Sequence, residues 1–267
     1  MGTANMLLGA AGPFLFFRTI STNQTDYNLY NQLVAAGWDQ QKAVVVDLTI
    51  NSGVVIGSSA NTIPAFTVSA LPNGSSVRMT NNGAIVGRGG AGLGKSSSFY
   101  YGSPIPASAN GGTALSTAFA ISIDNTNGIV GGGGGGGGAG GGNGGGDCSC
   151  SHCGGGYANN GIMGAGGGGA GYGDAGYGAT SYWASQSFFD FFYSTAGSAT
   201  SGGAGYIYGG TGGALGAAGT AGTGISSCGS GYNYINLGTA GGSAGACTSG
   251  NSNITWLATG QRYGALN

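Results

Sequence analysis

Between Gly131 and Gly142 the chain reads GGGGGGGGAGGG. A stretch without Cβ atoms has no side chains to bury, and ordering glycine costs more backbone entropy than ordering any other residue. Such a run has two physical outcomes. It stays a flexible linker, or it joins a framework in which backbones lie too close together for side chains. In polyproline II geometry twelve residues span about 37 Å at three residues per turn, and an isolated strand of that kind has no internal hydrogen bonds to hold it. Several strands side by side can exchange N–H···O=C bonds instead. Glycine-rich runs at 131–146, 154–156, 164–173 and 209–213 alternate with aromatic-bearing segments, whereas a linker is expected as one run between two domains. The pattern predicts a bundle of packed glycine helices whose core is backbone, with the flexible linker as the alternative.

Composition removes several classes of partner. The chain has 65 glycines in 267 residues, 6 Lys and Arg, 7 Asp and no Glu, for a net charge of −1. Nucleic-acid surfaces need clustered Lys and Arg, so no nucleic-acid partner is expected. Ordinary disorder combines low hydrophobicity with high charge, but here 40% of residues are hydrophobic and 10% aromatic. Collagen is excluded because there is no strict triplet period and there are only 5 prolines. The apolar stretch Met6 to Phe17 is too short to span a membrane and is broken by glycines and Pro13. It also lacks the basic residues that precede a secretory h-region, and Met6 stands where a myristoylation signal wants Ser or Thr. A soluble, unprocessed chain made in a cytoplasm, without membrane insertion, is the expectation.

The first ninety residues read differently from the rest. Leu29, Leu33 and Ala36 in YNLYNQLVAAGW fall at helical spacing, with Thr25 or Asp26 as N-cap and Gly37 at the C-terminal end. Short β-type segments follow at 43–50, 53–58, 65–71 and 76–80, punctuated by Gly, Asn, Pro and Ser. A repeat then emerges. Asn82-Gly83-Ala84-Ile85-Val86-Gly87 recurs as Asn127-Gly128-Ile129-Val130-Gly131 and as Asn160-Gly161-Ile162-Met163-Gly164, each time leading into a glycine run. So small a unit cannot bury its own apolar residues, so copies are expected to stack on one another. Their uneven spacing argues against a regular solenoid and for loops inserted on a common frame.

Three motifs suggest chemistry. Gly89 to Ser96 fits G-x-x-x-x-G-K-S, but a phosphate-cradling loop must open a helix, and SSSFYYGSPIP with its two prolines follows instead. Nucleotide binding is not expected. Cys148, Cys150, His152 and Cys153 crowd four soft ligands into six residues, with Cys228 and Cys247 farther along the chain. Zinc takes such ligands, yet this spacing is tighter than the usual pairs. Metal binding, disulfides formed after release from the cell, and free thiols all remain open, and no cofactor beyond zinc suggests itself. The third motif runs from Ser181 to Tyr193 and carries Tyr182, Trp183, Phe188, Phe189, Asp190, Phe191, Phe192 and Tyr193. Rings of that size cannot enter a close-packed glycine lattice. They either anchor a loop as a small apolar cluster or stand out as a binding surface. Tyr206, Tyr208, Tyr232 and Tyr234 are weaker candidates of the same kind. A single His, no Glu and seven scattered Asp form no recognisable acid–base set, so no catalysis is expected.

The stretches YNLYNQLVAAGW (27–38), VVVDLTINSGVVIGSS (44–59) and LPNGSSVRMTNNGAIVGRGGAG (71–92) resemble a domain recurrent in bacteriophage tail and tail-fibre proteins. The glycine-run half is similar to the tip adhesins of T-even-type phages. That resemblance implies a mainly β N-terminal region with one short helix, then a polyglycine II-type bundle with inserted loops and little α-helix. It divides the chain into an attachment segment (1–40), a compact β region (41–95) and a glycine-rich domain with aromatic loops (96–267). It further implies a virion tail protein that binds a host surface receptor, either outer-membrane protein or glycan, through displayed loops. Other tail proteins are implied as partners, with a homotrimer left open. A purely structural virion component is the competing reading.

Overall fold

The computed structural model describes residues 12–92, 109–138, 169–171, 180–184, 189–193, 197–198, 201–202, 204, 209–223 and 239–267. In chain order the strands fall into rungs. The first rung is β1 (Phe14–Ile20), β2 (Gln24–Thr25) and β3 (Tyr27–Asn28), followed by α1 (Leu29–Ala35). The second is β4 (Val44–Ile50), β5 (Val55–Gly57) and β6 (Phe66–Val68), and the third β7 (Ser76–Asn81), β8 (Ala84–Val86) and β9 (Leu115–Thr117). The fourth opens with β10 (Ile121–Asp124) and β11 (Ile129–Gly131). It is interrupted by an antiparallel pair, β12 (Thr180–Ala184) and β13 (Phe189–Tyr193), before closing with β14 (Thr248–Ser249). The last rung is β15 (Ile254–Ala258) and β16 (Gln261–Tyr263), and Leu266 bridges to Thr248.

Successive rungs stack strand on strand into three parallel sheets, ordered β1-β4-β7-β10-β15, β2-β5-β8-β11-β16 and β3-β6-β9-β14. This is a three-sided parallel β-helix. Its sequence logic is alternation: Val44, Val46, Leu48 and Ile50 point inward and are buried, while Asp47 between them is exposed. Register then builds columns. Leu48, Met79, Ile123 and Trp256 follow one another across the first sheet, and Ile56, Ile85 and Val130 across the second. Tyr27, Phe66 and Leu115 line the third, with Tyr27 stacked on Phe66 at 4.9 Å between ring centroids. All these inward residues except Trp256, which packs on them half-buried, are buried in one core cluster. A ladder of buried amides fastens the corner between the first two sheets. Asn81 Nδ2 donates to Asn125 Oδ1 at 2.7 Å, and Asn125 Nδ2 donates to the Thr259 carbonyl at 2.9 Å.

The structure corrects two expectations. The first two copies of the repeat do form rungs of a solenoid, because Ile85 lies opposite Val130 and Ile56 opposite Ile85 in continuous register, while the third copy, Asn160–Gly164, lies outside the described residues. Spacing is uneven only because the corner between the second and third sheets takes insertions, residues 87–114 in the third rung and 132–247 in the fourth. The helix cap is Asn28, whose side chain accepts from the Asn31 N–H, and not Thr25 or Asp26. Asp26 is engaged elsewhere: its carboxylate takes the Ser59 N–H at 2.9 Å, and Tyr27–Asn28 pair as a strand with β6. The rungs also reach beyond the sequence-based boundaries. β1 pairs with β4 along its whole length, and the last rung comes from residues 254–263.

From the interrupted corner the chain passes into a different kind of packing. All eight glycines from Gly131 to Gly138 are buried, and other chain segments surround them. The Gly133 and Gly136 N–H groups donate to the carbonyls of Gly112 and Ala109, three residues apart on both chains. The carbonyls of Gly132, Gly135 and Gly138 accept from Gly216, Gly213 and Gly210, and those of Gly133 and Gly136 accept from Gly245 and Gly242. On further sides, Gly90 donates to Gly134, while Gly135 and Gly138 donate to Ala217 and Thr220. Every contact recurs every third residue, so the run has bonded neighbours on several sides. A Cβ at Gly133 would overlap the Arg88 carbonyl, and one at Gly136 the Ala91 carbonyl. No other residue fits there.

Candidate functional site

Numbers along Gly131–Gly138 measure distance from the β-helix. Gly132 donates to the Tyr263 carbonyl of the last rung, whereas Gly138, the last described residue of the run, is bonded to Thr220 and Gly210. Four segments outside the described residues have at least one flanking residue near Gly136–Gly138. Residues 93–108 are bracketed by Gly92 and Ala109, and Ala109 donates to Ala91 at 3.2 Å and accepts from Gly136. Residues 139–168 leave after Gly138, and residues 205–208 return at Gly209, next to Gly210, which donates to Gly138. Residues 224–238 follow Thr223 and return at Thr239, close to the Gly222–Thr239 hydrogen bond of 3.0 Å. Thr211 and Thr220 are exposed next to Gly138 and are joined by a 2.7 Å bond from the Thr211 N–H to Thr220 Oγ1.

The aromatic segment departs from the opposite end. Gly169–Gly171 runs back toward the β-helix: Gly169 donates to Gly90 and Ala170 to Gly213, and the Gly171 backbone crowds those of Gly87 and Gly89. Gly171 also donates to the Ser198 carbonyl at 3.1 Å, which ties the neck of the excursion carrying β12 and β13. In that ribbon Tyr182 is in register with Phe191, Trp183 with Asp190, and Ser181 with Phe192. An aromatic loop expected from sequence is therefore a hairpin. Phe188, Tyr206 and Tyr208 lie outside the described residues.

The other sequence candidates divide likewise. Cys148, Cys150, His152, Cys153 and Cys228 lie outside the described residues. Cys247 is buried where the fourth rung closes, and its Sγ donates to the Val130 carbonyl at 3.2 Å. Burial pushes this thiol up to about 11, so it stays protonated and inert at neutral pH. In the stretch that mimics a phosphate loop, Gly90 donates to the Gly134 carbonyl as a lattice member, while Lys95 and Ser96 lie outside the described residues.

A three-sided β-helix carrying a glycine lattice has a counterpart among solved structures. The fold is similar to that in the crystal structure of the gp37-gp38 adhesin tip complex of the bacteriophage S16 long tail fiber, with a TM-score of 0.56 at 22% identity over 96% of this chain and 82% of that one. No curated protein matches the sequence. The chain belongs to the phage tail fibre adhesin Gp38 family, whose model matches residues 16–267. An adhesin role in the virion tail follows from that membership.

Proposed function

We propose that this chain binds a receptor on the host cell surface through the segments gathered at the far end of the glycine lattice. It does so as a fibre component mounted on other tail proteins. The observation that carries the reading is that Ala109, Gly210, Gly222 and Thr239, at or next to the borders of residues 93–108, 205–208 and 224–238, pack by backbone around Gly136–Gly138, after which residues 139–168 begin. A lattice whose contacts are N–H···O=C bonds is indifferent to the side chains in the excursions between its strands. It can therefore present variable loops rigidly, as a sandwich presents antibody loops. The three-residue hydrogen-bond period supports a polyglycine II-type bundle as that framework. Tyr206 and Tyr208 are the first residues assigned to the contact, because tyrosines offer large area at low conformational cost. The hairpin at Ser181–Tyr193 is a separate candidate contact on the other side of the lattice.

Binding of fluorescently labelled protein to a panel of intact bacteria tests this. One variant carries short Gly-Ser turns in place of residues 205–208 and 225–237, and another has such a turn in place of Ser181–Tyr193. Saturable binding to a few strains, lost in the first variant, supports the far-end contact. Loss only in the second moves the contact to the hairpin. A folded protein that joins the virion yet binds no strain points to a purely structural role.

A further inference from the structure

Four Asn-Gly pairs lie among the described residues, at 73–74, 82–83, 110–111 and 127–128. Asparagine is thermolabile, and a following glycine makes it more so. With no side chain to shield it, the glycine nitrogen can attack the carboxamide carbon of the preceding asparagine. Three of the four pairs are held against this. The Gly83 N–H donates to Asn81 Oδ1 at 3.1 Å, that of Gly111 to the Ser243 carbonyl at 2.9 Å, and that of Gly128 to the Asn125 carbonyl at 3.0 Å. Their asparagines are engaged too. Asn110 Oδ1 accepts from the Ser243 N–H at 2.9 Å, and Asn127 Nδ2 donates to Asn82 Oδ1 at 3.3 Å. Neighbouring groups also close around the three glycines. An added Cβ would collide with the Val54 carbonyl at Gly83, the Gly133 carbonyl at Gly111, and the Asn81 and Asn125 amides at Gly128.

Asn73-Gly74 has none of these restraints. The pair forms the middle of a turn between β6 and β7, closed by the Ser75 N–H donating to the Pro72 carbonyl at 3.1 Å. Both residues are exposed. Neither the Gly74 N–H nor the Asn73 side chain has a hydrogen-bond partner among the described residues. A Cβ at Gly74 would meet only the Ala43 Cβ at 3.7 Å, an ordinary contact, so there is room for the turn to rearrange.

We infer that Asn73 is a site of spontaneous covalent modification, converting to aspartate and isoaspartate ahead of Asn82, Asn110 and Asn127. The Gly74 nitrogen gives its proton to water and bonds to Asn73 Cγ. The Cγ–Nδ2 bond breaks, and ammonia leaves with a proton taken from water. Water then opens the resulting five-membered imide. Attack at Cγ restores the ordinary backbone as aspartate, and attack at the backbone carbonyl leaves isoaspartate, whose chain runs through Cβ and Cγ. Water is the only co-reactant. Either product adds a negative charge to the turn, and isoaspartate also lengthens it by one carbon. The next residue feels that change: Ser75 Oγ accepts from the Val44 N–H at 3.0 Å, so a remade turn bears on the start of β4.

The test holds the purified full chain, folded, at mildly alkaline pH, where the attacking amide loses its proton more readily. Digestion and fragmentation mass spectrometry then locate each new acid. Asn73 should convert at least about tenfold faster than Asn82, Asn110 and Asn127, because local opening must come before attack at the protected amides. The same chain unfolded in denaturant is the control, and there the four pairs should convert at comparable rates. Amide hydrogen exchange supplies a second readout that needs no chemistry at asparagine. Gly74 should exchange freely while Gly83, Gly111 and Gly128 stay protected. Asn73→Gln, at an exposed position, should remove the early acid, because its longer side chain closes a six-membered ring more slowly. Equal rates at the four pairs in the folded chain would overturn the inference. So would an Asn73 that survives in the folded chain while converting in the unfolded one. No readout involves bacteria, so a failure here leaves the receptor reading untouched.

Discussion

Gly133 sits where four chain segments meet, and its missing side chain is what lets Arg88 approach. Gly133→Ala is expected to force the lattice apart at a cost of about 1–3 kcal/mol, the range for overpacking a close-packed site. Gly12→Ala, where a Cβ meets nothing within 4 Å, serves as control. Thermal unfolding followed by circular dichroism should lower the midpoint for the first and leave the second unchanged. Cys247 gives a pH-dependent expectation. Its folded pKa is raised from 9.0 to about 11 by burial, so the thiol ionises first in the unfolded chain. Its contribution to stability is complete below the unfolded value and is lost as pH rises from 9.0 toward about 11. Melting temperatures across that range should fall more steeply for the wild type than for Cys247→Ala; parallel curves would show that the thiol is not buried as described.

The elements owe their stability to contacts between rungs. Individual strands are as short as the two residues of β2 or β3, far too short to persist alone. Asn125 ties the corner across the last three rungs, accepting from Asn81 and donating to the Thr259 and Gln261 carbonyls. Asn125→Ala removes the fully buried Asn125 amide and its three hydrogen bonds, leaving Asn81 Nδ2 only its bond to the Ile129 carbonyl, and is expected to cost about 1–3 kcal/mol. Arg262→Ala removes a cation–π contact with Trp256 at a more open position, worth about 0.5–1 kcal/mol. Denaturant melts should rank the two in that order, and equal effects would mean the ladder is not the main fastening of that corner. Strands 44–50, 55–57, 66–68 and 76–81 were legible because their alternation is local, as was the helix. β1 was read as an apolar lead, and β15 and β16 were absorbed into a glycine-rich domain. Their pairing partners lie 30 residues away for β1 and 133 residues away for β15, and local periodicity does not carry that information.

At the scale of the molecule, charge is nearly absent where contact is proposed. In residues 93–108, 139–168, 205–208 and 224–238 the only charged residues are Lys95 and Asp147, and Ser181–Tyr193 adds Asp190. Binding to host cells should therefore change by less than about threefold as sodium chloride rises to 0.5 M, because screening acts only on charges. A steep loss measured on the same bacteria would place the contact elsewhere. By itself the sequence pointed to glycine as framework, with a flexible linker as the alternative, since several glycine runs alternate with aromatic-bearing segments. It also determined the apolar alternation that makes short strands and the near-absence of charge. Only the tertiary structure decided that the strands stack as rungs of one solenoid, that both insertions leave from a single corner, and which backbone segments surround Gly131–Gly138. The reason is physical: a glycine strand has no side chains to mark its neighbours, so its direction and partners are set by backbone hydrogen bonds between residues far apart in the chain.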